Sequence, residues 1–148
     1  MILELIYAFF ATLGFAILFN LEKKKALISS IGGAIGWLAY SVSLDISRTE
    51  STSFFLGAVA LSLFGEIMAR RMKTPVTIFV IAALIPLVPG GGLYSTMLDS
   101  LNGNFGSAVT GLMNTLNNAG ALAIGILFVF TGSRAYNYYL NVKGGAAV

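Results

Sequence analysis

An all-helical membrane protein of five transmembrane spans, the fourth of them broken, is the fold class this sequence predicts. Three observations carry that reading. Of the 148 residues, 57% are hydrophobic and only 10% are charged, against about 25% charged in soluble domains. Most of the charge sits in short connections between apolar runs. One apolar run is interrupted by Pro86, Pro89 and three successive glycines, Gly90, Gly91 and Gly92.

Taken in order, the runs place span one at Ile2–Asn20, span two at Ala26–Leu44 and span three at Ser53–Ala69. Span four covers Pro75–Leu101 and span five covers Phe105–Thr131. The N-terminus, Met-Ile-Leu-Glu, has no basic region ahead of its apolar run, so span one reads as a retained helix rather than a cleaved signal. From Pro75 to Leu87 a helix rises only about 20 Å, against a hydrocarbon core of about 30 Å. The break therefore falls inside the membrane, where irregular backbone survives only if protein or a watery cavity satisfies it. A second half-helix, Leu93–Leu101, follows the break.

Charge sets the orientation. Lys23, Lys24 and Lys25 fill the first connection, and Arg70, Arg71 and Lys73 fill the third. Asp45, Arg48 and Glu50 lie in the second, Asp99 with Asn102 and Asn104 in the fourth, and Arg134 and Lys143 in the tail. Basic connections belong in the cytoplasm, so the N-terminus is expected outside and the C-terminus inside. Trp37 and Tyr40 suit one interfacial belt; Tyr136, Tyr138 and Tyr139 suit the other. The net charge of +3 is a topology signal rather than a nucleic-acid surface.

Several chemistries lack their residues. The sequence holds no Cys and no His, which removes thiol chemistry, the common triads and the usual zinc sites. It has no G-x-x-x-x-G-K-[ST], so no P-loop. No enzyme, cofactor or metal site is expected.

The polar residues inside the spans are the candidate site. After Pro89, the glycines can end one half-helix and start another, leaving N–H groups near Gly91 to Tyr94 directed into mid-membrane. Helix N-termini favour anions, and glycines admit close approach. This elbow is read as a carboxylate site, with a packing kink as the alternative. On span five, Thr110, Asn114 and Asn117 share a helical face, with Asn118 beside it. Their depth, about 12–20 Å from Phe105 by helical rise, matches that of the elbow, so they are read either as cargo contacts or as interhelical glue. Glu66 is an intramembrane carboxylate four residues before Arg70; it is a proton-coupling candidate or half of a helix ion pair. Asp99 is a titrating group at the outer mouth or a solvated loop residue. Gly32 and Gly36 form a G-x-x-x-G packing pattern.

The stretch from Gly65 to Met97 resembles the threonine/serine exporter family. The residues that carry the likeness are Gly65-Glu66, Ala69-Arg70, Pro75, Phe79, Ile85-Pro86-Leu87-Val88-Pro89-Gly90 and Tyr94. More closely, the whole chain is similar to the small subunit of the split form, which works beside a larger subunit bearing a cytoplasmic domain. The resemblance implies one exporter-like transmembrane domain over 1–148 in the inner or plasma membrane. It also implies a small amino-acid or related carboxylate cargo and a five-span partner of inverted topology, with a homo-oligomer as the other arrangement. A dicarboxylate such as succinate, a purely structural subunit and a simple pore are the competing functions.

Overall fold

The computed structural model describes residues 1–145, without the side chains of Asn137, Leu140 and residues 141–145, so the side chain of the tail lysine Lys143 lies outside what is described. The elements are α1 (Ile2–Leu18), α2 (Lys23–Ser47), α3 (Glu50–Met72), α4 (Thr77–Leu84) with a 3-10 turn at Ile85–Leu87, α5 (Gly90–Leu101) and α6 (Phe105–Gly145). Among the described residues, three helices are long and apolar enough to cross a bilayer: α2, α3 and α6 over Phe105–Tyr136. The segments Thr77–Leu87 and Gly90–Leu101 pass that test together and are bent by 44°. With 17 residues, α1 is apolar but shorter. The chain is thus a polytopic helical membrane protein.

The helices outrun the apolar runs that predicted them. Spans two and three were expected at Ala26–Leu44 and Ser53–Ala69, but α2 and α3 continue to Ser47 and back to Glu50. Only Arg48 and Thr49 separate them, and the chain reverses because Arg48 takes a left-handed conformation at φ 57°. Helix α6 passes the expected end at Thr131 because no proline follows to break it. Hydropathy marks where lipid ends, not where the helix does.

Helix α2 is the hub, packing on α1, α3 and α4. It can be, because its central glycines present bare backbone. A Cβ at Gly33 would collide with Thr12 of α1, and one at Gly36 would lie 3.0 Å from Leu61 of α3 and 3.1 Å from Leu87. Leu61, Ala58, Val80, Ala83 and Leu87 form the core around this seam, with Leu122 of α6. Two buried hydroxyls bond back to their own helix: Thr12 to the Ala8 carbonyl and Ser30 to the Ala26 carbonyl, both at 2.8 Å. Lipid supplies no alternative partner.

Helices α3 and α6 run parallel. Ser51 meets Asn118 at one end, and Glu66 and Arg70 meet Ser133 at the other. Arg70, Lys73 and Arg134 line one recess, which marks a basic end of the bundle, and Glu50 marks the opposite end. Helix α5 packs only on α6. The two form a hairpin joined at Gly103, where φ is +79°.

Candidate functional site

Proline chemistry builds the elbow. Val88 precedes a proline, which pushes it out of the helical region, and its backbone is extended at ψ 128°. Pro89 has no N–H to continue the ladder. The Gly90 N–H donates to the Val88 carbonyl at 2.7 Å, and the Leu93 N–H to the Pro89 carbonyl at 3.4 Å. Between them, the N–H groups of Gly91 and Gly92 have no hydrogen-bond partner among the described residues. Helix α5 starts at Gly90, earlier than the Leu93 expected, so the glycines form its first turn.

The elbow is one wall of a cavity of about 510 Å³. Pro86, Val88, Pro89, Gly90, Gly91 and Gly92 supply that wall, with Ser95 above them. A second wall is aromatic. Trp37 and Tyr40 of α2 have ring centroids 5.3 Å apart, and Phe54 of α3 lies 4.7 Å from Tyr40. These two α2 rings, expected at an interface, line the cavity, and the Trp37 indole N–H donates to Glu4 at 3.4 Å. The third wall is α6, with Gly111, Asn114, Thr115 and Asn118.

The third wall is held by two interlocked four-residue steps. A Cβ at Gly92 would collide with the Thr115 hydroxyl, and one at Gly111 would sit 2.8 Å from the Thr96 hydroxyl. Thr96 donates to the Gly92 carbonyl at 2.7 Å and Thr115 to the Gly111 carbonyl at 2.8 Å. Each threonine therefore covers the glycine of the facing helix. By contrast, a Cβ at Gly90 or Gly91 would meet nothing within 4 Å. Gly92 serves the hairpin; Gly91 and Gly90 leave the elbow open.

Of the residues singled out from sequence, the structure brings together Pro89, Gly90, Gly91, Gly92, Asn114 and Asn118. Asn118 is buried, and both ends of its amide are engaged. It accepts from the Ser51 hydroxyl at 2.7 Å and donates to Glu50 Oε2 at 2.8 Å. Asn117 is exposed and outside the cavity, and so is Tyr94 at 67% exposure. The Gly111–Thr115 clasp fixes the inward stripe as 111, 114, 115 and 118, which turns Thr110 and Asn117 away.

Glu66 lies elsewhere. It accepts from Arg70 Nε at 3.2 Å and from the Ser133 hydroxyl, and Arg70 also donates to Ser133 at 2.8 Å. This triad ties α3 to α6 near the basic end, about 24 Å along α3 from Glu50 by helical rise. Asp99 is half-buried on α5, also away from the cavity. Depth differs too. Through Asn118, the cavity is level with Glu50, the first residue of α3, rather than with the middle of that helix. The residues of α6 before Asn118 rise with α5 about 20 Å beyond that level. Counting depth from Phe105 misses this projection.

Glu50 is the cavity residue that the charge pattern concealed, because it reads as a loop charge. Its partner Asn118 is too distant in sequence for spacing to signal it. A larger groove, of about 850 Å³, runs between α3 and α6. Leu63, Ile67, Leu127 and Phe128 line it, walls that suit acyl chains rather than a polar cargo.

Residues 4–131 match the family model described as "Threonine/Serine exporter, ThrE". A protein of Haemophilus influenzae named only "Uncharacterized protein" is 23% identical over 131 residues, covering 83% of this chain and 44% of that protein. The chain thus spans less than half the length of that relative. No solved structure matches.

Proposed function

We propose, for a chain that belongs to the threonine/serine exporter family, that it is one unit of a secondary exporter of small amino acids of the threonine/serine class. The cargo carboxylate docks at the elbow. The observation that carries this reading is the pair of free N–H groups of Gly91 and Gly92 on the wall of a cavity that also holds Asn114 and Asn118. Unpaired N–H groups at a helix start favour a carboxylate both as donors and through the dipole. Tyr94 and Asn117 lie outside this cavity and would act through another unit. An ion gradient, protons first, drives export, with Glu66 and Asp99 as the groups that could couple it.

A second reading changes the cargo to a small dicarboxylate such as succinate, because an N–H pair recognises a carboxylate whatever it is attached to. Competition against L-threonine binding tests the carboxylate site. Blocking the carboxyl group as the methyl ester should weaken competition roughly ten- to hundredfold, the worth of charged hydrogen bonds. An ester that competes as well as the free acid would remove the elbow from the site.

In the proposed topology the domain over 1–148 crosses the inner or plasma membrane five times, N-terminus outside. The gathering of Arg70, Lys73 and Arg134 at one end supports that orientation. The partner is a second exporter unit of inverted topology. Two observations support it: the relative with more than twice the matched length, and the hairpin. Leu98, Leu101, Phe105, Val109 and Met113 are all at least 45% exposed, and α5 packs on α6 alone. A second unit covers them. A purely structural role, with all cargo contacts in the partner, would leave the elbow cavity without a purpose.

A further inference from the structure

We propose that Glu50 is the specificity-determining residue of the elbow cavity, its free carboxylate oxygen receiving the ammonium group of the cargo. The inference rests on the elbow reading above and adds the second half of recognition. Glu50 is the carboxylate among the residues that line the cavity. Its Oε2 accepts from Asn118, while its Oε1 has no hydrogen-bond partner among the described residues. The ion pairs of the described residues involve Glu4, Glu22 and Glu66, and none involves Glu50. Arg48, two positions earlier, does not pair with it, and no Lys or Arg is among the described residues that line the cavity. A negative charge is therefore presented to the cavity without a cation.

The surroundings hold that charge in place and suit a cation. Ser51 donates to Asn118 Oδ1, which fixes the amide so that its NH2 faces Glu50. The bond from Asn118 thereby orients Glu50, an exposed residue, at the rim of the cavity. The Trp37, Tyr40 and Phe54 rings line the same cavity, and π faces attract an ammonium group. The elbow N–H groups lie on another wall of the cavity. One cavity thus offers donors for an anionic group and an acceptor with aromatic rings for a cationic one. A zwitterionic amino acid satisfies both. A dicarboxylate would bring its second negative charge to Glu50 with no cation to offset it.

Binding to the full chain, purified with whatever unit accompanies it from its native membrane, separates the two ends. The probes are L-threonine, N-acetyl-L-threonine, L-threonine methyl ester and succinate. On the wild-type chain the N-acetyl compound should bind roughly ten- to hundredfold more weakly than L-threonine. Glu50→Gln can still accept from Asn118; it should weaken L-threonine by a similar factor and leave N-acetyl-L-threonine unchanged or tighter. Glu50→Asp, which retains the charge, should keep the preference for the free amine. Equal binding of threonine and its N-acetyl derivative to wild type would overturn the assignment, as would succinate binding as tightly as threonine. A preference that survives Glu50→Gln would do the same. If the methyl ester alone binds normally, the elbow reading fails while Glu50 stands. If no probe binds wild type, both fall.

Discussion

Gly91 and Gly92 are neighbours in the first turn of α5, yet the space around them assigns them different tasks. Gly92 has no Cβ because Thr115 occupies that space, whereas a Cβ on Gly91, which also lines the cavity, would meet nothing within 4 Å. Gly92→Ala should therefore destabilise the chain by about 1–3 kcal/mol, the range for overpacking, and Thr115→Ala should recover part of that loss. Gly91→Ala should leave stability unchanged. Thermal unfolding of the detergent-solubilised variants checks this; equal stability of both single variants would contradict the clasp. From sequence, all three glycines shared the same two explanations, close approach of a ligand or a packing kink. The threonine opposite Gly92 lies on another helix, and no local pattern links the two. The same gap hid the inward stripe of α6. Thr110, Asn114 and Asn117 do lie along one helical stripe, but Gly111 and Thr115 decide which stripe faces in.

At the scale of elements, the break was legible because its causes are local. Pro89 removes a donor and forces Val88 extended, and both consequences appear where expected. The G-x-x-x-G pair was legible for a similar reason: Gly32 and Gly36 meet Phe64 and Leu61 at 3.1 and 3.0 Å from an added Cβ. Helix ends were not. Charged residues such as Lys23, Glu50 and Arg70 stop an apolar run but are good or tolerable helix residues, so the helices carry on through them. Nor could periodicity reveal that α5 and the first part of α6 form a hairpin beside the bundle. That arrangement depends on Asn118 joining Glu50 and Ser51, which sets how far α6 slides along α3.

For the whole molecule, the two charged ends define the span. From Glu50 to Arg70, α3 rises about 30 Å, one hydrocarbon thickness. If the basic end is cytoplasmic, the cavity opens toward the outer face and the α5–α6 hairpin stands beyond it, its apolar surface covered by a second unit. Single cysteines at Lys24 and Arg48, in a chain with no native cysteine, should then react with an impermeant maleimide from opposite sides, Arg48→Cys from outside. Labelling of both from one side would reject the orientation. The central claim is that the open elbow is where the cargo carboxylate sits. Gly91→Val tests it most directly, because Gly91 lines the cavity and a Cβ added there meets no neighbouring atom within 4 Å. Flux of L-threonine should be measured in proteoliposomes holding the variant chain with its accompanying unit, alongside recovery of the assembled complex. The account predicts that assembly is retained and flux falls at least tenfold. Undiminished flux with an intact complex would contradict it.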